Sequence, residues 1–153
     1  MLTPHPGEGA RLAGRPAAEL NRDRVGAALA LAEATGAVVV LKGAGTVTAT
    51  PDGRALVNPT GGPLLGAGGS GDVLAGMVAG FLAQGLPAFE GAALAAFVHG
   101  AAADALAARR GAAGVLASEV AAAVPETLEA LRGTPVPEPF GAADVLLDFP
   151  EPG

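Results

Sequence analysis

In Gly66-Ala67-Gly68-Gly69-Ser70-Gly71-Asp72, four of the six residues ahead of the aspartate are glycine. Such a backbone can approach a ligand closely and aim several N–H groups at one point, an anion cradle. Val73, Leu74, Met77, Val78, Phe81 and Leu82 follow at helical spacing. They place the cradle at a helix N-terminus, where free N–H groups and the helix dipole favour phosphate. Asp72 then neighbours an anion, and two negative groups repel unless a cation, a proton or a reacting hydroxyl lies between them. Two readings fit. Asp72 is a general base that takes the proton of a hydroxyl attacking phosphorus, a role worth about 10²- to 10⁴-fold in rate. Or it is a helix-start residue, favoured by the dipole by about 0.3–1 kcal/mol.

Two further residues could serve the same chemistry. Lys42 is the only lysine, in a chain where arginine outnumbers lysine eight to one, which suggests that a compact ammonium is wanted there. His5 lies in Leu2-Thr3-Pro4-His5-Pro6-Gly7-Glu8, where two prolines stiffen the backbone and can aim the imidazole. The alternative for His5 is an exposed loop residue.

The elements that must position these groups read as follows. Residues 17–34 form one amphipathic helix closed by Gly36, with Leu20, Val25, Ala28, Leu29 and Leu31 near one face. The apolar run 37–42 has the look of a buried parallel strand whose C-terminal end carries Lys42-Gly43-Ala44-Gly45-Thr46. Residues 46–50 and 55–58 read as a hairpin around Pro51-Asp52-Gly53-Arg54. The glycine loop and a helix over 71–84 come next, then an unusually apolar helix over about 89–110, buried against the sheet or a partner. His99 and Asp104 within it could be functional, but a hydrogen-bonded core histidine is the preferred reading. A short helix is expected over 118–132, then a proline-rich tail from 134 to 153 that packs around Phe140, Val145 and Leu146.

The residues 66–71 also fit the G-x-G-x-x-G fingerprint of dinucleotide-binding units. That reading fails on context. Asn58-Pro59-Thr60-Gly61-Gly62-Pro63 stands where the preceding strand should be, and its two prolines cannot donate to a sheet.

A chain of 153 residues supports a single domain, and one with half of its residues hydrophobic is not disordered. A net charge of −6 with scattered basic residues excludes a nucleic-acid surface. No cysteine is present, so neither disulfides nor thiolate metal sites arise, and cytoplasmic residence is expected. No membrane segment is expected either, since the most apolar stretch is interrupted by His99 and Asp104.

Three motifs in this order, Leu2-Thr3-Pro4-His5-Pro6-Gly7-Glu8, Val39-Val40-Leu41-Lys42-Gly43-Ala44-Gly45-Thr46, and Asn58-Pro59-Thr60-Gly61 followed by Gly68-Gly69-Ser70-Gly71-Asp72, resemble the C-terminal half of the ADP-dependent NAD(P)H-hydrate dehydratases. The resemblance runs from residue 2 to about residue 132. It implies the α/β, ribokinase-like three-layer sandwich, here as a C-terminal half with a partial parallel sheet flanked by helices. It also implies ADP, or ATP in its place, with Mg²⁺, and NADHX or NADPHX as substrate. On that pattern His5 contacts substrate, Lys42, Gly43, Ala44, Gly45 and Thr46 bind the adenine nucleotide with Gly69 and Gly71, and Asp72 meets the substrate hydroxyl; no protein metal ligand is implied. A vitamin-precursor or sugar kinase of the same superfamily and a non-catalytic nucleotide-binding module are the alternatives. Gly62, Gly66-Ala67 and Gly45 depart from the family's usual Asn, Ala-Thr and His, leaving the backbone donors in place. Because family domains carry a whole N-terminal half as well, the resemblance implies a homo-oligomer, a complementing N-terminal half, or a piece of a longer product.

Overall fold

A computed structural model describes residues 1–134. The expectations for Phe140, Val145, Leu146 and nearly all of the proline-rich tail fall outside them.

The helix expected over 17–34 is two. α2 (Ala17–Arg22) and α3 (Arg24–Thr35) are divided at Asp23, whose non-helical backbone breaks the first helix while its carboxylate accepts the Gly26 N–H at 2.8 Å and caps the second. An additional helix, α1 (Pro6–Ala13), occupies what reads in the sequence as a stiff loop. Pro6 sits at its first turn, where a missing N–H costs nothing.

The apolar run forms β1 (Val39–Leu41), joined antiparallel to β2 (Val47–Ala49), which pairs antiparallel with β3 (Ala55–Val57) through the expected hairpin. The parallel partner of β1 is the N-terminal segment. Val40 donates to the Leu2 carbonyl at 2.8 Å and Lys42 to the Pro4 carbonyl at 2.9 Å, while Leu2 donates to Val38 at 2.9 Å. A partial parallel sheet therefore exists on one side of β1 only; the other side turns back on itself because the connection to β2 is too short for a crossover.

Alternation along β1 sets the layers. Val39 and Leu41 pack with Leu20, Ala28, Leu31 and Ala32 of α2 and α3, whereas Val40 packs with Leu74 and Val78 of α4 (Ser70–Ala83) and Ala92, Ala95 and Ala96 of α5 (Ala88–Arg110). Helices thus cover both faces of the sheet. Val39, Val40 and Leu41 are wholly buried, each side chain contributing about 1.5–3 kcal/mol. α6 (Ala117–Arg132) closes the far side of α5 through Val120 and Ala123.

α5 is long and apolar enough to cross a bilayer, but more than half of that stretch is buried inside the protein. It is the central core helix. Its small residues let α4, α6 and the Asn58–Gly62 loop approach closely, and that places it behind the site described next.

Candidate active site

The C-terminal end of β1, the N-terminus of α1, the Asn58–Gly66 segment and the N-terminus of α4 converge around a cavity of about 560 Å³. His5, Lys42, Gly43, Ala44, Thr46 and Gly71 all line it. Gly45, Gly69 and Asp72 do not, although each adjoins a residue that does.

His5 is the N-cap of α1. Its Nδ1 accepts from the Gly7 and Glu8 N–H groups at 3.0 and 3.3 Å, and Glu8 returns a bond to the His5 N–H at 2.7 Å. Accepting two N–H groups requires a bare Nδ1, so a neutral His5 carries its proton on Nε2. The prolines do not aim this side chain; the capping box does. Glu8 went unnoticed in the sequence because histidine is not among the usual capping residues. The bond from the His5 backbone, with Lys42 nearby, holds the Glu8 carboxyl below its ordinary pKa.

Lys42 extends from the end of β1 toward Gly71. Its Nζ is 3.9 Å from Glu8 Oε2, and it would lie 3.0 Å from a Cβ placed on Gly71. Any side chain at 71 would push the ammonium aside. The loop behind Lys42 is held by Arg24, which donates from Nη2 to the Leu41 and Lys42 carbonyls at 2.9 and 3.0 Å and from Nε to the Gly45 carbonyl at 3.2 Å. The same guanidinium packs on Gly43, whose φ of 136° suits glycine. Nothing in the sequence singled out Arg24, since its partners are carbonyls 17 to 21 residues away.

At the start of α4, Gly69 is the N-cap with φ 86° and offers no side-chain cap. Ser70, Asp72 and Val73 donate to the carbonyls of Ala67 and Gly69. Among the described residues, no acceptor meets the N–H of Gly68, Gly69 or Gly71. An ammonium held against a helix N-terminus, itself the positive end of a dipole, is unfavourable until an anion lies between them. The cavity beside Lys42 and Gly71 has room for such an anion.

Asp72 is exposed on the first turn of α4. Ser70, Gly71 and Leu74 face the cavity, and a helix turns about 100° per residue, so position 72 is carried round to the outer face. The carboxylate stands beside the cavity rather than within its lining.

The opposite wall is the Asn58–Gly62 loop, bound to α5. Asn58 donates to the Ala96 carbonyl at 3.2 Å, Thr60 Oγ1 to the Phe97 carbonyl at 2.8 Å, and the Gly61 N–H to Asp104 Oδ2 at 2.8 Å. Asp104 is therefore a loop anchor, and Gly62 and Gly66 contribute only backbone to the lining. His99 is buried, as a core histidine should be, but it lines the cavity, with Nε2 3.3 Å from Ser70 Oγ.

Burial pushes the His99 imidazole below its ordinary 6.5. The unfolded chain takes up that proton first, so the stability contributed by neutral His99 is complete above about pH 6.5 and is lost as pH falls below it toward the folded-state value. Thermal midpoints should decline through that window in the wild type and decline less in His99→Gln. Parallel curves for the two proteins would assign the decline elsewhere.

A family model described as NAD(P)H-hydrate dehydratase matches residues 1–126. The chain belongs to the NAD(P)H-hydrate dehydratase family. It is 47% identical over 132 residues to the bifunctional NAD(P)H-hydrate repair enzyme of Moorella thermoacetica, covering 86% of this chain and 25% of that protein. It is 48% identical over 124 residues to the ADP-dependent (S)-NAD(P)H-hydrate dehydratase of Neisseria meningitidis, covering 80% and 42%. Among solved structures it is similar to the ADP/ATP-dependent NAD(P)H-hydrate dehydratase from Bacillus subtilis co-crystallised with ATP and Mg²⁺, with a TM-score of 0.79, 39% identity, and coverage of 84% and 47%. A ribokinase-like superfamily protein from Enterococcus faecalis matches with a TM-score of 0.73 and 32% identity, over 84% and 44%. The α/β fold is thus the ribokinase-like one of the dehydratase family, and this chain spans a quarter to less than half of the length of these relatives.

Proposed function

We propose that this chain is the nucleotide-binding half of an ADP-dependent dehydratase that returns hydrated nicotinamide cofactors, NADHX or NADPHX, to NADH or NADPH. The observation that carries the reading is the Lys42 ammonium set against Gly71, whose N–H meets no acceptor among the described residues, at one cavity wall. Phosphoryl transfer needs such a preorganised electrostatic site more than covalent machinery. The nucleotide occupies the cavity, with the Lys42–Thr46 loop along it and its transferable phosphate at Gly69 and Gly71. Asp72, turned outward, accepts the proton of the substrate ring hydroxyl as that oxygen attacks the phosphorus, with AMP as leaving group. Phosphate is a far better leaving group than hydroxide, and its departure from the ring carbon, together with a proton lost from the adjacent ring carbon, restores the reduced ring. His5, at the mouth of α1, contacts substrate.

Among the described residues no group of three or more His, Cys, Asp or Glu is assembled around one point. Magnesium therefore fits as an ion carried chiefly on nucleotide oxygens, its common manner of binding, with Asp72 the nearest carboxylate to the cradle in sequence. It supplies neutralisation of phosphate charge.

The substrate side of Asp72 needs a second wall. Residues 2–4 run beside β1, and among the described residues no strand lies beyond them; we assign that edge to a preceding segment, a complementing half or a second copy in a homo-oligomer. Cytoplasmic residence, in keeping with the cysteine-free sequence, completes the proposal.

The test is an assay of the chain with hydrated cofactor and ADP, then ATP, following reappearance of reduced nicotinamide. Turnover with ADP is expected, either alone or on adding an N-terminal half. Phosphorylation of hydroxymethylpyrimidine or thiazole alcohol by ATP, with no turnover of hydrate, would replace this reading with a kinase. ADP binding without turnover under every condition would reduce the chain to a nucleotide-binding module.

A further inference from the structure

The turn Ala96–Gly100 of α5 holds both walls of the cavity. Carbonyls of Ala96 and Phe97 take Asn58 and Thr60, and the bare surface of Gly100 receives the Thr60 backbone. The glycine loop opposite is reached from this turn by one polar contact among the described residues, His99 Nε2 to Ser70 Oγ at 3.3 Å. Otherwise α4 meets α5 through apolar side chains such as Leu74 and Val78. Both members of the pair are 4% exposed and both line the cavity.

We propose that His99 is a positioning residue for Ser70, fixing its hydroxyl as a donor to the phosphoryl group seated at the start of α4. The inference rests on the assignment of this cavity to the nucleotide. A serine hydroxyl has one proton. If His99 carries its proton on Nε2, the imidazole donates to Oγ and the hydroxyl proton is left to point at the anion. If the proton is on Nδ1, the hydroxyl donates to Nε2 and presents lone pairs to the cavity, where they repel a phosphate. An anion therefore selects the Nε2–H tautomer. Burial keeps the ring neutral, so the choice is between tautomers and not between charges.

The test uses the 153-residue chain and ADP. By calorimetry, Ser70→Ala and His99→Leu should each weaken ADP binding roughly ten- to hundredfold, as for a lost hydrogen bond to a charged group. The double variant should be little worse than either single one, since the two residues act as one donor. His99→Gln, whose amide N–H can replace Nε2–H, should recover most of the loss. Imidazole ¹⁵N spectra of the wild type should show His99 protonated on Nε2 in the ADP complex, a signature independent of how well any variant folds. Ser70→Ala binding as tightly as wild type, additive losses, a glutamine no better than leucine, or an Nδ1–H tautomer in the complex would each overturn the inference. A wild type that binds no ADP would instead overturn the assignment of the cavity, and this inference with it.

Discussion

Asp72→Asn should leave ADP affinity nearly unchanged and cut turnover of hydrated cofactor by about 10²-fold or more. The two halves of that expectation come from different observations. Asp72 is absent from the cavity lining and makes no ion pair or side-chain hydrogen bond among the described residues, so its amide analogue disturbs no contact of the cavity. The expected loss of turnover rests on the proposed role, in which the Asp72 carboxylate takes the proton of the hydroxyl that attacks the phosphorus. Asparagine keeps the size and polarity but cannot take that proton. Assays in which the variant turns over hydrate at the wild-type rate would remove Asp72 from the chemistry; a large loss of ADP affinity would place it in the nucleotide site instead.

Gly100→Ala should destabilise the protein, although alanine is the better helix former. The added methyl would lie 2.6 Å from the Thr60 carbonyl carbon and closer still to its hydroxyl oxygen. Neither can retreat freely, because the hydroxyl is bonded to the Phe97 carbonyl and the next residue's N–H to Asp104. Overpacking of this kind costs about 1–3 kcal/mol, here at the upper end since backbone is involved. The gain from replacing glycine in a helix is about 1 kcal/mol. The clash wins, and a net loss of about 2 kcal/mol lowers the thermal midpoint by roughly 4–8 °C. Calorimetric scans would measure it. A midpoint equal to or above wild type would mean that the Asn58–Gly62 loop lifts from α5 without penalty, and then the loop could not serve as a rigid wall.

The same contact explains why the motif Asn58-Pro59-Thr60-Gly61 exists where it does. Read as sequence, it is a turn with two prolines nearby and no evident chemistry. In the fold its polar side chains hydrogen-bond to α5, so the motif is a scaffold that fixes the cavity wall to which Asn58, Thr60 and Gly61 contribute.

Much of the site was legible from local patterns. Glycine density, helical spacing after Asp72 and the apolar run before Lys42 each report a backbone property confined to a few adjacent residues, and each was realised: α4 begins at Ser70, β1 ends at Leu41, and the hairpin turns at Asp52 and Gly53. Local reading failed where a competing local bond intervened. Asp23 divides α2 from α3 because its carboxylate caps Gly26, and His5 starts a helix because an imidazole stands in for the usual hydroxyl or carboxylate cap.

What this sequence determined by itself is therefore the glycine-rich start of α4, the strand that ends at Lys42 and the family to which the chain belongs, since these depend on residue types at short and fixed separations. Only the tertiary structure decided that Lys42 meets Gly71, that Arg24 holds the loop after β1, that His99 reaches Ser70, and that Asp72 faces outward. Those facts depend on separations of 17 to 29 residues or on the rotation of α4, and a periodicity along one segment carries no information about which face of another segment it will meet.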